Sequence, residues 1–286
     1  MPVRCTVCRR GFPIVDGVVS LIADGGLAPY RPFLEHYLCV RHAENWSVNP
    51  THLGLLPYPP PGTPHRAIWR RRARSFERLL ALLTVRSRGG SLDILDLGAG
   101  NCWLARQLAG RGHRVEAVDI NVDPLDGLAA APTAVFAFGR IQSPMERLPY
   151  LDAQFDVVIA AAALHYARNL AAAVTEAVRV LRPGGALILL DTPIYRDPRL
   201  GQAVVAQRLS AQRLHYGSVG EGTAGPGYIA AAALRLAYRR TGLSYREVSV
   251  HNRPRAMVGR LRRRLGAILC LPERAQMPLV VGERRC

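Results

Sequence analysis

The chain has 286 residues, long enough to bury a real core as one large domain or two small ones. Its 49% hydrophobic and 21% charged content is that of a globular protein and argues against a disordered one. The formal charge is +17, yet every basic residue counted is arginine and lysine is absent. That bias reads as coding preference, so the charge is weak support for a nucleic-acid partner, although its field is real.

No stretch approaches the roughly 20 apolar residues that span a bilayer. The opening Met-Pro-Val-Arg-Cys-Thr has no apolar leader core. Six cysteines are too sparse for a disulfide-stapled fold, so a reducing cytoplasm is the expected location.

Residues 1–45 are rich in Cys, Gly and Pro, and we read them as a small β-rich module. Residues 46–90 follow as a proline-rich connector and a helix. Thr63-Pro64 supplies an N-cap and a first-turn proline, predicting a helix from His65 to about Val85 with Ile68, Phe76, Leu79, Leu80 and Leu83 on its apolar face. From residue 91 to 286 strands and helices alternate. Strands are expected at Leu92–Leu97, Arg114–Asp119, Ala134–Phe138, Phe155–Ala161 and Ala186–Leu190, with late strands at Leu243–Val250 and Pro278–Gly282. Helices are expected at Cys102–Ala109 and Leu170–Leu181, the latter broken by Arg182-Pro-Gly-Gly185. This succession predicts an α/β fold, a mostly parallel sheet with helices on both faces. A helical insert over 196–240 interrupts it and carries the glycine-rich stretch Gly217–Gly227. Met257, Leu261, Leu265 and Ile268 mark one face of a helix whose arginines (Arg255, Arg262, Arg263, Arg264) project elsewhere. We read this face as covering the sheet rather than touching a membrane surface.

Asp96-Leu-Gly98-Ala99-Gly100 stands where an apolar strand gives way to a helix, and Asp119 ends the next strand, 23 residues after Asp96. Glycines there let the chain turn sharply and a ligand approach the backbone, and the second acid can accept hydrogen bonds from a ribose diol. A dinucleotide fingerprint needs a third glycine where this chain has Trp103, and the lysine of a phosphate-gripping loop is missing. Nicotinamide, flavin and ATP are thereby disfavoured.

At these residues the chain resembles the class I S-adenosylmethionine-dependent methyltransferases, in the type 11-like subgroup that includes quinone and small-molecule methyltransferases. The resemblance covers Ser91 to Thr192, about a third of the chain. Four segments carry it: Asp96–Gly100; Val118-Asp119; Met145–Asp156 with Leu164-His165-Tyr166; and Arg179–Gly185. It implies a Rossmann-like seven-stranded sheet with one antiparallel strand. It further implies that S-adenosylmethionine is held by Asp96, Gly98, Ala99, Gly100, Asp119, Ile120, Ser143, Met145, Glu146 and Ala161. The glycine loop would take the methionyl end, Asp119 the ribose, and the backbone near Met145 the adenine. The family usually places an Asp where this chain has Pro144, which cannot bind the adenine amino group. Ser143, or backbone and apolar contacts, must serve instead.

Methyl transfer from a sulfonium needs alignment and exclusion of water, and needs a base only when the acceptor is protonated. His165, Tyr166 and Tyr195 are the candidate catalytic side chains. Asp191, His215 and Tyr216 also fall just past strand ends or in the insert. For His165 packing in the pocket wall is the more economical role, and for His215 and Tyr216 a place on a helix surface.

Cys5-Thr-Val-Cys8 is a metal-binding knuckle, and Cys39-Val-Arg-His42 offers a second pair, so Cys5, Cys8, Cys39 and His42 could hold one structural zinc. The segment from Cys8 to Leu21 resembles the end of a zinc-ribbon module found alone as a methyltransferase activator or fused ahead of methyltransferase domains. Its usual preceding Cys pair is missing, which makes this ribbon truncated or rewired. The expected function is methyl transfer to a small-molecule acceptor. The alternatives are an RNA (guanine N1-type) methyltransferase and a non-catalytic S-adenosylmethionine-binding protein.

Overall fold

The computed structural model describes residues 3–4, 6, 9–22, 25–46, 50–130, 138–217, 224–250 and 275–285. In chain order, the amino-terminal part holds β1 (Val3–Arg4), β2 (Gly11–Phe12), β3 (Ile14–Val15), β4 (Val18–Ser20), α1 (Arg31–Ala43), α2 (Pro50–Leu53) and α3 (Arg66–Ser87). Then come β5 (Asp93–Leu97), α4 (Trp103–Ala109), β6 (Arg114–Asp119), β7 (Gly139–Gln142), β8 (Phe155–Ala161), α5 (Leu170–Val180) and β9 (Leu181–Leu190). The chain ends with β10 (Ile194–Tyr195), α6 (Pro198–Tyr216), β11 (Ile229–Ala230), α7 (Ala231–Arg240), β12 (Arg246–Val248) and β13 (Leu279–Glu283).

One sheet organises the molecule, in the order β12-β13-β9-β8-β5-β6-β7-β4-β3. The central strands β9, β8, β5, β6 and β7 run parallel, and β13 enters antiparallel to β9. Both faces of this centre are buried, as a parallel sheet requires. Along β8, Val157 and Ile159 pack into the core cluster that holds Phe76, Leu79 and Leu83 of α3 and Leu104 and Leu108 of α4. Val158 and Ala160 turn to the opposite cluster, with Ala173, Val174 and Ala177 of α5 and Leu234 and Tyr238 of α7. Each fully buried Leu or Val contributes about 1.5–3 kcal/mol relative to exposure.

The sheet has nine strands where seven are expected, because the hairpin β3–β4 adds to its edge. Val19 and Ser20 pair in parallel with Ile141 and Gln142, and Ser20 Oγ donates to Gln142 Oε1 at 2.7 Å. The expected β-rich module over 1–45 is corrected in its second half, which is the 13-residue helix α1. Phe33, Leu34, Tyr37 and Val40 recur at helical spacing there. A strand lies at Gly139–Gln142, and the first four residues of the strand expected at Ala134–Phe138 fall outside the described ones. The strand after α5 begins at Leu181 and runs through the Arg182–Gly185 segment read as a break. His65, in the left-handed region at φ 57°, caps α3 in place of Thr63, whose hydroxyl donates to Pro60 O instead. The arginine-rich helix expected around Leu261 and most of the stretch 217–227 lie outside the described residues. Among the described residues no helix is long and apolar enough to cross a membrane.

Arg179 explains why two distant segments of the sequence travel together. It donates to Leu148 O (2.9 Å) and Tyr150 O (2.7 Å) while pairing with Glu176 and Asp152. Glu176 in turn accepts from Leu148 N–H at 2.7 Å. The loop that leads from the cavity into β8 is thus clamped to α5.

Candidate functional site

The strands β5 and β6 end side by side, with Leu97 opposite Val118. The turn after β5 is held by Gly98 and Ala99 N–H groups donating to Val118 O at 2.8 and 3.1 Å. Gly98 has φ +74°, and a Cβ on it would come within 2.4 Å of Ala163 Cβ. Gly100 also sits at positive φ. The loop therefore needs glycine at Gly98 and is eased by it at Gly100, which leaves its backbone bare towards the cavity. Gly98→Ala is expected to cost about 1–3 kcal/mol of stability through overpacking and backbone strain. Chemical denaturation of the variant checks this.

Asp119 is buried at the end of β6. Its Oδ2 accepts from Gly100 N–H and its Oδ1 from Asn121 N–H, both at 2.8 Å. Burial raises its pKa, and these backbone hydrogen bonds oppose the rise. Asp96 ties the strand to α4 by accepting from Ala105 N–H at 3.1 Å, while its Oδ1 is buried without a partner. Burial pushes its carboxyl up to about 7.

These groups border a cavity of about 920 Å³, counted out to its open mouth. Of the expected cofactor residues, Gly98, Ala99, Gly100, Asp119, Ile120, Ser143, Met145, Glu146 and Ala161 line it, and Asp96 stands behind the glycine turn. Ser143 Oγ donates to Arg147 O at 2.9 Å, which aligns the hydroxyl and leaves its lone pairs free to accept. Glu146 accepts from Tyr30 Oη (3.2 Å) and from Arg168 N–H (2.7 Å). Trp103 packs edge-on against Trp69 and Phe76, with ring centroids 6.0 and 5.7 Å away, in space a third glycine would leave open.

The sequence reading did not place α1 at this cavity. Tyr30, Phe33, Leu34, Tyr37 and Arg41 line it, and Phe33, Tyr37 and Tyr166 form an aromatic cluster with centroids 5.4–5.8 Å apart. Arg41 grips Asp126 with two hydrogen bonds of 2.5 and 2.6 Å. From α3, Arg72 reaches the wall, and Ala224 lines it after the insert's first helix. The helical spacing of Phe33, Leu34, Tyr37 and Val40 was the signal for α1.

Of the candidate catalytic groups, only Tyr166 lines the cavity. His165 is buried beside it, its Nδ1 unpartnered and its pKa lowered to about 3 by burial and by Arg208 and Arg72. Tyr195 packs edge-on against Tyr228, away from the lining. Asp191 accepts from Ser75 Oγ at 2.9 Å, and Tyr216 donates to Glu44. His215 lies on α6 against the Tyr216 ring. Cys39 and His42 both sit on α1, where His42 Nε2 is 3.3 Å from Asp123 Oδ1 and Cys39 is a free thiol. Cys5 and Cys8 lie outside the described residues. Among the described residues no three Cys, His, Asp or Glu side chains gather to hold a metal.

A glycine turn and an acid stand at adjacent ends of parallel strands, under a mixed sheet covered by helices on both faces, which is a Rossmann-like architecture. Residues 95–189 match the family model described as a methyltransferase domain. The chain is 43% identical over 109 residues to an uncharacterized methyltransferase of Mycobacterium tuberculosis, covering 38% of this chain and 42% of that protein. It is 33% identical over 130 residues to malonyl-[acyl-carrier protein] O-methyltransferase of Enterobacter lignolyticus, covering 46% and 49%. The chain thus spans less than half the length of these curated relatives. Its fold is similar to that of the YcgJ protein of Bacillus subtilis, with a TM-score of 0.51 at 18% identity, covering 73% of this chain and 99% of that one.

Proposed function

We propose that the protein is an S-adenosylmethionine-dependent methyltransferase acting on a small-molecule acceptor. The observation that carries the reading is the bare glycine turn at Gly98–Gly100 facing the buried Asp119 across one cavity. The cavity suits the cofactor: the turn is closed to a side chain at Gly98, and Asp96 keeps a buried acceptor without a partner. The glycine loop and Asp96 would hold the methionyl end, Asp119 the ribose, and Ile120, Ser143 and Met145 the adenine. With Pro144 unable to accept the adenine amino group, the lone pairs of Ser143 Oγ take that part, its proton being committed to Arg147 O.

S-adenosylmethionine supplies an activated methyl group on a sulfonium, so the protein's work is alignment and exclusion of water. Phe33, Tyr37 and Tyr166 do both, since their rings close over the cavity and favour a cation beside their faces. The segment Ala224–Gly227 closes the acceptor side. Gly225 packs on the Ala167 backbone, and Gly227 N–H donates to His165 O at 3.1 Å.

Calorimetric titration with S-adenosylhomocysteine is expected to give one site per chain. Ser143→Ala should weaken it by about 0.5–1.5 kcal/mol, the scale of one neutral hydrogen bond. Incubation with methyl-labelled donor and a small-molecule extract should label a product. Absence of S-adenosylhomocysteine binding would overturn the reading.

A further inference from the structure

The cavity wall contains two arginines among the described residues, Arg41 and Arg72. Arg41 is neutralised by its two-pronged contact with Asp126. Among the described residues Arg72 has no ion-pair or hydrogen-bond partner, and its guanidinium lies over the Trp69 ring, 4.6 Å from the centroid. The nearest candidate counter-ion, Asp191, is occupied by Ser75 Oγ at 2.9 Å and by Arg71 Nε at 3.8 Å. Arg72 is half-buried in the wall, so its guanidinium meets the cavity with its charge uncompensated and free to pair with an anionic ligand.

Its surroundings belong to the acceptor side. Arg72 acts electrostatically on His165, which follows β8, and feels Asp191, which follows β9. The glycine turn lies between β5 and α4, on the far side of the Trp69 ring, which separates Arg72 from Trp103 at the start of α4. The three carboxylates in the wall are committed: Asp119 to two backbone N–H groups, Asp126 to Arg41, Glu146 to Tyr30 and Arg168. None is poised to take a proton from an acceptor. His165, held neutral in the dry interior, is a weak base as well.

Resting on the methyltransferase reading, we propose that the acceptor is an organic carboxylate and that Arg72 is the residue that binds it. A carboxylate is already deprotonated at neutral pH and asks no base of the protein. One oxygen forms the new O–C bond as the S–C bond of the sulfonium breaks, with the bonding pair remaining on sulfur. The products are a methyl ester and a neutral thioether, and no proton is released. A guanidinium offers two parallel N–H groups to such an anion, so it can hold one oxygen while orienting the other.

The test uses malonate as probe, titrated into the S-adenosylhomocysteine complex and followed by tryptophan fluorescence, since Trp69 lies against Arg72. Saturable binding is expected, and malonamide, its uncharged counterpart, should not compete. Arg72→Gln should weaken malonate by about tenfold or more, with Arg72→Lys intermediate, while both variants keep the wild-type melting profile. The ratio of S-adenosylhomocysteine to methylthioadenosine affinity should be unchanged in Arg72→Gln, because only the former carries an amino-acid carboxylate. A fall in that ratio would assign the guanidinium to the cofactor and overturn the proposal. Equal malonate affinity in Arg72→Gln, or no saturable malonate binding to a complex that holds S-adenosylhomocysteine, would also overturn it. Failure to bind S-adenosylhomocysteine at all would instead remove the reading beneath it.

Discussion

Asp119→Ala is expected to weaken S-adenosylhomocysteine binding by about 1.5–3 kcal/mol, the scale of lost charge-assisted hydrogen bonds. Two losses combine. The ribose hydroxyls lose their acceptor, and the N–H groups of Gly100 and Asn121, each 2.8 Å from the carboxylate, lose theirs. The second loss loosens the glycine turn itself. Asp119→Asn separates them, since an amide oxygen still accepts one backbone N–H but removes the charge. Calorimetry on both variants checks the expectation, and unchanged affinity in Asp119→Ala would reject the ribose assignment.

Arg41→Ala should cost about 3–5 kcal/mol of folding stability. Removing one partner of a buried ion pair strands the other charge. The Asp126 side chain is 1% exposed and that of Arg41 15%, so solvent screens little of the loss. Asp126 lies in the loop after Asp119 and Arg41 on α1, so the same change unfastens the helix over the cavity. Cofactor affinity should therefore fall together with stability. Urea denaturation gives the first quantity and titration the second. The double variant Arg41→Met with Asp126→Asn should recover much of the stability, because neither charge is then left alone.

The parts of the fold legible in the sequence are those set by nearest neighbours. Arg114–Asp119 and Phe155–Ala161 appear at the expected bounds, the first as charged and apolar residues in alternation along Arg-Val-Glu-Ala, the second as the short apolar run of a strand covered on both faces. The glycine loop was legible for a related reason: its turn, its acid and its helix follow one another without interruption. The strand Val18–Ser20 was not, since three residues become a strand only by pairing with Ile141 and Gln142 far along the chain. Helix α1 was obscured differently. Cys39 and His42 drew attention as metal ligands, while the helical spacing of Phe33, Leu34, Tyr37 and Val40 went unread. One side of the cavity wall, Tyr30, Phe33, Leu34, Tyr37 and Arg41, comes with that helix and was missed with it.

The way α1 is fastened also bears on the order in which the chain takes shape. Its bonds span long separations: 85 residues from Arg41 to Asp126, 116 from Tyr30 to Glu146, and 122 from Ser20 to Gln142 just before it. Contacts so remote in sequence are slow to close, because the entropy of a large loop is lost before they form. During synthesis the helix leaves the ribosome well before the strands it covers. Until Glu146 has emerged, its aromatic face has nothing to rest on and invites binding by chaperones or by other chains. A chain halted near residue 140 would hold α1, the glycine turn and Asp119, and would lack Glu146, Tyr166 and the strands β8 and β9 that complete the wall and the sheet.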